Sequence, residues 1–216
     1  MNIPVETTMR WRKGALVAVA LLLLTGGEAR AQDWWWGITY QMSTQASLPV
    51  NSDADGNFVE DFSFRGIGFE GRYFPQRGGK LSYGFSGSWN VLNEEVRGET
   101  VSLPGVDITA ETQQRYVNAF PLLANAHYYL GERGGIRPYL GLSAGAYYIE
   151  RRVDVSIVSV DDDTWHFGWA PEAGIVIPLG RPEVAAFGSV KYNWAFSSGG
   201  TGDQKYWTFD LGFAYR

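Results

Sequence analysis

Hydrophobic and polar positions trade places every second residue from Trp34 to the C-terminus, and no stretch carries the 3.6-residue period of an amphipathic helix. Trp34, Trp36, Ile38, Tyr40 and Met42 share one face, against Trp35, Gly37, Thr39, Gln41 and Ser43. Leu81, Tyr83, Phe85, Trp89 and Val91 alternate with Ser82, Gly84, Ser86, Ser88 and Asn90. Phe167, Trp169, Ala173, Ile175 and Ile177 do so with His166, Gly168, Ala170, Glu172 and Gly174. The last segment sets Trp207, Phe209, Leu211, Phe213 and Tyr215 against Tyr206, Thr208, Asp210, Gly212 and Ala214. Weaker copies over 65–74, 116–130, 138–149 and 184–196 bring the expectation to eight strands of about ten residues.

The links alternate as well. Long polar stretches at 44–61, 93–111, 150–163 and 197–205 interleave with short turns at 75–79, 131–137 and 180–182 that carry Gly and, in two of them, Pro. The pattern predicts an all-β fold, an eight-stranded antiparallel up-and-down barrel with both termini on the short-turn side. That is the layout of a transmembrane β-barrel with short periplasmic turns and four long external loops. A secreted lipocalin-type barrel has the same strand count, but its apolar face lines an internal cavity. The second face separates the two. It is mostly Gly, Ser, Ala and Asn, which suits a narrow lumen, whereas a soluble exterior calls for Lys, Glu and Thr. The apolar face is therefore expected outside, with Tyr73, Trp89, Trp165, Trp194, Trp207 and Tyr215 as membrane-interface aromatics.

Residues 1–31 read as a secretory signal peptide. Arg10, Arg12 and Lys13 precede an apolar run from Ala15 to Leu24, and Ala29-Arg30-Ala31 offers a cleavage site before Gln32. Ten apolar residues span only about 15 Å as a helix, too short for a hydrocarbon core of about 30 Å. Met9, just ahead of the basic cluster, is a second candidate start. The expected mature chain, 32–216, keeps 14 basic and 21 acidic residues, net −7, and forms one barrel domain. An acidic chain argues against a nucleic-acid partner. The chain has no cysteine and two histidines, which removes disulfides, thiol catalysis and Cys-ligated metals and leaves little for a His-built site. No cofactor and no metal are expected.

The runs Gly66-Ile67-Gly68-Phe69-Glu70-Gly71-Arg72-Tyr73-Phe74-Pro75 and Gly168-Trp169-Ala170-Pro171-Glu172-Ala173-Gly174, with the closing Phe209-Asp210-Leu211-Gly212-Phe213-Ala214-Tyr215, resemble the outer-membrane β-barrel domain family. Its members include OmpX, OmpW and the membrane part of OmpA. The resemblance spans essentially 32–216 and rests on patterns, so it implies fold more than function. It implies an outer-membrane location, contact with membrane lipid and lipopolysaccharide, and handling by the barrel-assembly machinery. Many members end in an aromatic residue, whereas this chain ends Tyr215-Arg216. A monomer is expected.

Carrying the alternation through places Glu70, Arg72, Arg115, His127, Glu172, Lys191 and Asp210 inside, a lumen charge cluster of three carboxylates and three permanent cations, Glu70, Glu172 and Asp210 with Arg72, Arg115 and Lys191, beside one histidine. A turn at Arg181-Pro182 sets Glu172 opposite Lys191, with Asp210 on the next strand. This predicts a Glu172–Lys191–Asp210 cluster near mid-barrel, since unpaired charge in a confined interior costs several kcal/mol. Such a network would plug the lumen; a selectivity or proton-relay site is its functional rival. Trp35 is expected to turn inward as a plug at the periplasmic end, with an aromatic carbohydrate platform as the rival reading of Trp34-Trp35-Trp36.

Candidate chemistry is thin elsewhere. Small-barrel lipid A deacylases place a His two residues before a Ser on one strand; here His127 precedes Tyr128-Tyr129 and His166 precedes Phe167-Gly168. A triad drawn from separate strands stays open, because triads are defined by geometry. His127 is expected as a hydrogen-bonded lumen residue and His166 at the rim. Asp53-Ala54-Asp55-Gly56-Asn57 has the 1-3-5 spacing of a calcium loop, yet Phe58 takes the glycine position and Phe64 the closing Glu position. Asp161, Asp162 and Asp163 read as a solvated tip and a weak cation site within an acidic crown. Arg97, Arg151 and Arg152 are the basic residues of the first three long links. The expected function is non-catalytic, in envelope integrity or surface interaction through the loops. The alternative is a narrow, OmpW-like channel for small hydrophobic molecules, and a lipid A-modifying enzyme comes third.

Overall fold

A computed structural model describes residues 33–49, 58–59, 61–76, 79–97, 100–103, 106–109, 112–132, 134–155, 158–180 and 183–216. Residues 1–31, expected to be a signal peptide, and the Asp53–Asn57 spacing lie outside these residues. Ten strands follow one another: β1 (Asp33–Ser47), β2 (Arg65–Phe74), β3 (Leu81–Arg97), β4 (Thr100–Leu103), β5 (Val106–Thr109), β6 (Thr112–Tyr129), β7 (Arg137–Val155), β8 (Val158–Pro178), β9 (Val184–Ala195) and β10 (Gln204–Tyr215). Eight of them close in the order β1-β10-β9-β8-β7-β6-β3-β2, every neighbour antiparallel. Trp36 shows the closure, since it stands opposite Tyr215 of the last strand and Gly71 of the second. Within this closed ladder no strand is left as an edge.

Two of the expected polar links are largely strand. The 93–111 stretch carries the ends of β3 and the separate hairpin β4–β5, with Thr100 opposite Thr109. The 150–163 stretch continues β7 and β8 as far as Val155 opposite Val158. Charge hid these strands in the sequence, and charge also pairs across them: Arg151 stands opposite Asp162 and Arg152 opposite Asp161. Strands of 17 to 21 residues at β3, β6, β7 and β8 thus stand beyond the ten-residue expectation on the loop side.

The two faces separate as the pleat requires. Ile38 and Phe213 are 67% and 66% exposed, and Ile67, Phe69, Leu122, Leu140, Leu142, Trp165, Phe167 and Leu211 join them outside. Thr39, Gln41, Asn90, Asn125, Ser143, Ser189, Asn193 and Thr208 are buried inside. This arrangement overturns the secreted-carrier alternative, which needs the rings around an internal cavity. Two interior glycines make room for the lumen's large side chains. A Cβ on Gly141 would lie 2.6 Å from the His127 ring, and one on Gly174 would lie 2.4 Å from the Tyr139 ring.

Candidate functional site

The lumen is filled in three layers. At the short-turn end Phe74, Tyr129, Tyr139, Val176, Ala185, Phe187 and Ala214 form a buried cluster, and Trp35 packs against it with its ring centroid 5.3 Å from that of Phe74. Arg137 caps this layer, its guanidinium 4.5 Å from the Tyr129 ring centroid and its Nη2 donating to the Gly79 carbonyl at 2.9 Å. Trp35 enters because strict alternation in β1 turns it opposite to Trp34 and Trp36, which stack outside at 5.8 Å.

Above it lies the charged layer, centred on Glu172 of β8. Its carboxylate accepts from the Tyr139 hydroxyl at 2.6 Å and stands 3.6 Å from Lys191 Nζ, 3.6 Å from Arg72 Nη2 and 3.5 Å from His127 Nε2. Lys191 also lies 3.7 Å from Asp210, which accepts from Ser189 at 3.3 Å. Arg72 grips Glu70 through both Nε (2.8 Å) and Nη2 (2.9 Å) and donates to the hydroxyls of Tyr129 and Tyr139. Glu172 and Lys191 meet because they are register partners across the β8–β9 turn; Asp210 reaches Lys191 diagonally, since its own partner is Ser189.

Five of the six residues assigned to the lumen cluster are together: Glu70, Arg72, Glu172, Lys191 and Asp210. Arg115 is a correction. It is buried in the lumen but near the loop end of β6, its guanidinium 5.9 Å from the Phe58 ring centroid. Twelve residues separate it from His127 on the same strand, roughly 40 Å of extended chain. Inward parity is a property of one strand, whereas height in the barrel depends on the stagger of all eight. His127 stands where a third cation was expected, so three carboxylates face two permanent cations and a histidine.

The third layer closes the loop end. Leu48, Phe58 and Val59, from the link between β1 and β2, are at most 1% exposed and pack with Leu92, Val117, Tyr147, Ile149, Val153 and Tyr206. Pro49 ties the link down: its carbonyl accepts from Gln204 Nε2 at 3.1 Å and Arg151 Nη2 at 3.4 Å. An internal cavity between Gln41, Glu70, Asn90, Lys191, Asn193 and Asp210 measures about 10 Å³, room for about one water molecule.

Other expected residues fall as follows. Asp161, Asp162 and Asp163 are consecutive within β8 and not a loop tip, so the pleat sends Asp162 inward, 3.7 Å from Arg151, and leaves Asp161 and Asp163 exposed. They cannot converge on one cation, and no metal-type cluster of three ligands occurs among the described residues. The aromatics point outward and contact one another around the wall: Trp89 on Phe120 (5.9 Å), Phe120 on Tyr148 (5.9 Å), Tyr148 on Trp165 (5.1 Å). Trp207 meets Tyr192 at 4.7 Å, Tyr73 meets Trp34 at 5.3 Å, and Tyr215 ends β10 exposed. Trp194 is half-buried, its Nε1 donating to Asp203 at 2.9 Å. Asp203 also accepts from the Ser197 amide (2.9 Å) and sits 3.4 Å from Lys205. Partial burial pulls its carboxyl up, but the Trp194 and Ser197 hydrogen bonds and the Lys205 ammonium outweigh this and hold it below the ordinary aspartate range.

Sequence reasoning missed several residues. Tyr139, Tyr147 and Arg151 share inward parity with Ser143, so the alternation of β7, carried past Ile149, would have found them. Leu48, Phe58 and Val59 carry no such signal. Ser82 was also missed: its Oγ lies 3.3 Å from His127 Nδ1, putting Ser82, His127 and Glu172 in a hydroxyl–imidazole–carboxylate row drawn from three strands. The row is chemically inert as placed, because Ser82 is 0% exposed and no acyl carbonyl can reach its hydroxyl. His166 is buried, with Nδ1 at 2.7 Å from the carbonyl of Phe196, the residue that follows β9.

No protein-family model matches the chain, and no curated protein does. Among solved structures, Neisserial surface protein A is similar at 12% identity and a TM-score of 0.49, over 84% of this chain and 94% of that one. Ail of Yersinia pestis is similar at 14% and 0.46, over 85% and 96%. OprG from Pseudomonas aeruginosa is similar at 16% and 0.46, over 84% and 94%. By its own register and closure the chain is an eight-stranded antiparallel barrel, and it is similar in fold to these small outer-membrane barrels.

Proposed function

We propose that this protein is an integral outer-membrane barrel, exported by its N-terminal segment, whose work lies in surface interaction or envelope integrity through its external loops. The outer wall supports the membrane reading. On β8 the outward positions run apolar from Trp165 to Ile177, thirteen residues that rise roughly 30 Å at a strand tilt of about 40°. Assembly would follow the usual route for such barrels, with β10 as the strand presented to the barrel-assembly machinery, and lipopolysaccharide would be the neighbouring lipid.

The observation that carries the non-conducting, non-catalytic reading is the filled lumen of the described residues, three packed layers of side chains with an internal cavity of about 10 Å³ beside the charged one. Planar-bilayer recording of the refolded barrel tests it: no unitary conductance steps are expected, and reproducible steps would overturn it. The OmpW-like conduit requires Leu48, Phe58 and Val59 to leave the mouth, and it predicts uptake of small apolar solutes by expressing cells. Enzymatic modification of lipid A would need Ser82 exposed; its signature is lipid A shortened by an acyl chain.

A further inference from the structure

The loop-side half of the outer wall carries an exposed cation, Arg65, that no carboxylate or ring engages among the described residues. Arg115 and Arg151 turn into the lumen, toward Phe58 and Asp162, while Arg152 is held by Asp154 at 2.7 Å and Lys205 sits beside Asp203. Arg65, the first residue of β2, has no such partner among the described residues and is exposed. It borders an open groove of about 440 Å³ lined by Gly66, Ile67, Trp89, Val91 and Asn118. The groove's polar wall is set in advance: Trp89 Nε1 donates to Asn118 Oδ1 at 3.2 Å, which leaves the Asn118 amino group to donate outward. Its apolar wall is rigid, because Trp89 stacks on Phe120 at 5.9 Å with the rings 12° from parallel.

Arg65 also stands at the height a phosphate would occupy. It lies opposite Val91, two residues beyond Trp89 toward the loops, so its Cα stands about 5 Å above the level of Trp89. Rings settle at the boundary of hydrocarbon and headgroup, and a cation just above them meets lipid phosphate. The rest of this end, with Glu95, Asp161 and Asp163 exposed, repels anions.

We propose that this groove binds the phosphate of an anionic outer-leaflet glycolipid, with Arg65 and Asn118 on the phosphate oxygens and an acyl chain along Ile67, Val91 and Trp89. Arg suits this role because its planar fork donates two parallel hydrogen bonds to phosphate. The proposal rests on the membrane reading above and adds a site to it.

The test uses the full mature chain refolded into phosphatidylcholine nanodiscs, with bis-phosphorylated lipid A titrated in and retained lipid counted by native mass spectrometry. One lipid A per barrel is expected on the native chain, with retention at least tenfold weaker in Arg65→Gln, partly restored in Arg65→Lys and unchanged in Arg152→Gln. Dephosphorylated lipid A should be held equally poorly by the native chain and Arg65→Gln, and millimolar inorganic phosphate should displace nothing. Equal lipid A retention by inserted native and Arg65→Gln barrels would overturn the site and leave the membrane reading standing. Displacement by inorganic phosphate would overturn the lipid assignment. Failure of the folded native barrel to enter the discs would overturn the membrane reading itself.

Discussion

Lys191 is the residue on which the charged layer turns, and replacing it with methionine isolates what that layer contributes. The ammonium stands 3.6 Å from Glu172 and 3.7 Å from Asp210, and all three side chains are buried. At an effective dielectric of about 20, each pair is worth roughly 4–5 kcal/mol of attraction. Desolvation of the ammonium offsets much of that sum. In the native chain the layer holds Glu70, Glu172 and Asp210 against Arg72 and Lys191, one negative charge in excess; in the Lys191→Met variant the excess is two. Removing one partner of a buried ion pair typically costs about 3–5 kcal/mol, because the abandoned charge remains. That corresponds to a hundred- to several-thousand-fold loss in the folding equilibrium. Urea unfolding in lipid vesicles, followed by tryptophan fluorescence, measures it. The decisive comparison is the double variant Lys191→Met/Asp210→Asn, which removes the second excess charge and should recover at least about 1 kcal/mol. A Lys191→Met chain within about 0.5 kcal/mol of native, or strict additivity with Asp210→Asn, would refute the account of a coupled charge layer.

The other layers and the wall each carry an expected outcome. Phe58→Ala should destabilise by about 3 kcal/mol in the same unfolding assay, since a ring in the mouth plug is lost, yet it should open no conductance because the charged layer below is intact. Channel steps in this variant would put the barrier at the mouth. On the outer wall, Ile38→Arg should cost about 2–4 kcal/mol of folding into vesicles, and a cost near zero would mean that this face meets water. The Asp203 clasp should show a pH signature of defined sign. Its carboxyl lies below the ordinary aspartate range when folded, so its stabilisation is complete above about pH 4–5 and is lost as pH falls through the lower folded value. Hydrogen exchange at the Ser197 amide, corrected for intrinsic rate, should lose protection only in that acid window. Asp203→Asn should abolish the pH dependence, and an unchanged profile in this variant would exclude the clasp.

Much of this barrel was legible in the chain because a β-strand repeats every two residues. Trp34–Met42 and Trp207–Tyr215 announce which side chains go out together, and a turn at 180–182 sets Glu172 against Lys191 by counting from its tip. Parity needs no knowledge of distant residues. The same rule runs on through β7 and β8, further than their composition suggests. Arg151, Arg152 and Asp161–Asp163 read as loop because charge usually marks solvent, although cross-strand pairs of opposite sign lengthen a ladder as well as Val or Ile do.

The alternation, the eight strands of the barrel and the greasy exterior follow from the chain alone, as consequences of local backbone geometry. Tertiary structure decided height and company. It brought Arg72 of β2, His127 of β6, Tyr139 of β7, Glu172 of β8, Lys191 of β9 and Asp210 of β10 to one level, while sending Arg115, of the same inward parity, to the mouth. It also folded Leu48, Phe58 and Val59 into the opening. Such meetings depend on the stagger accumulated around a closed sheet and on which apolar side chains find the mouth unfilled, quantities that no single strand contains.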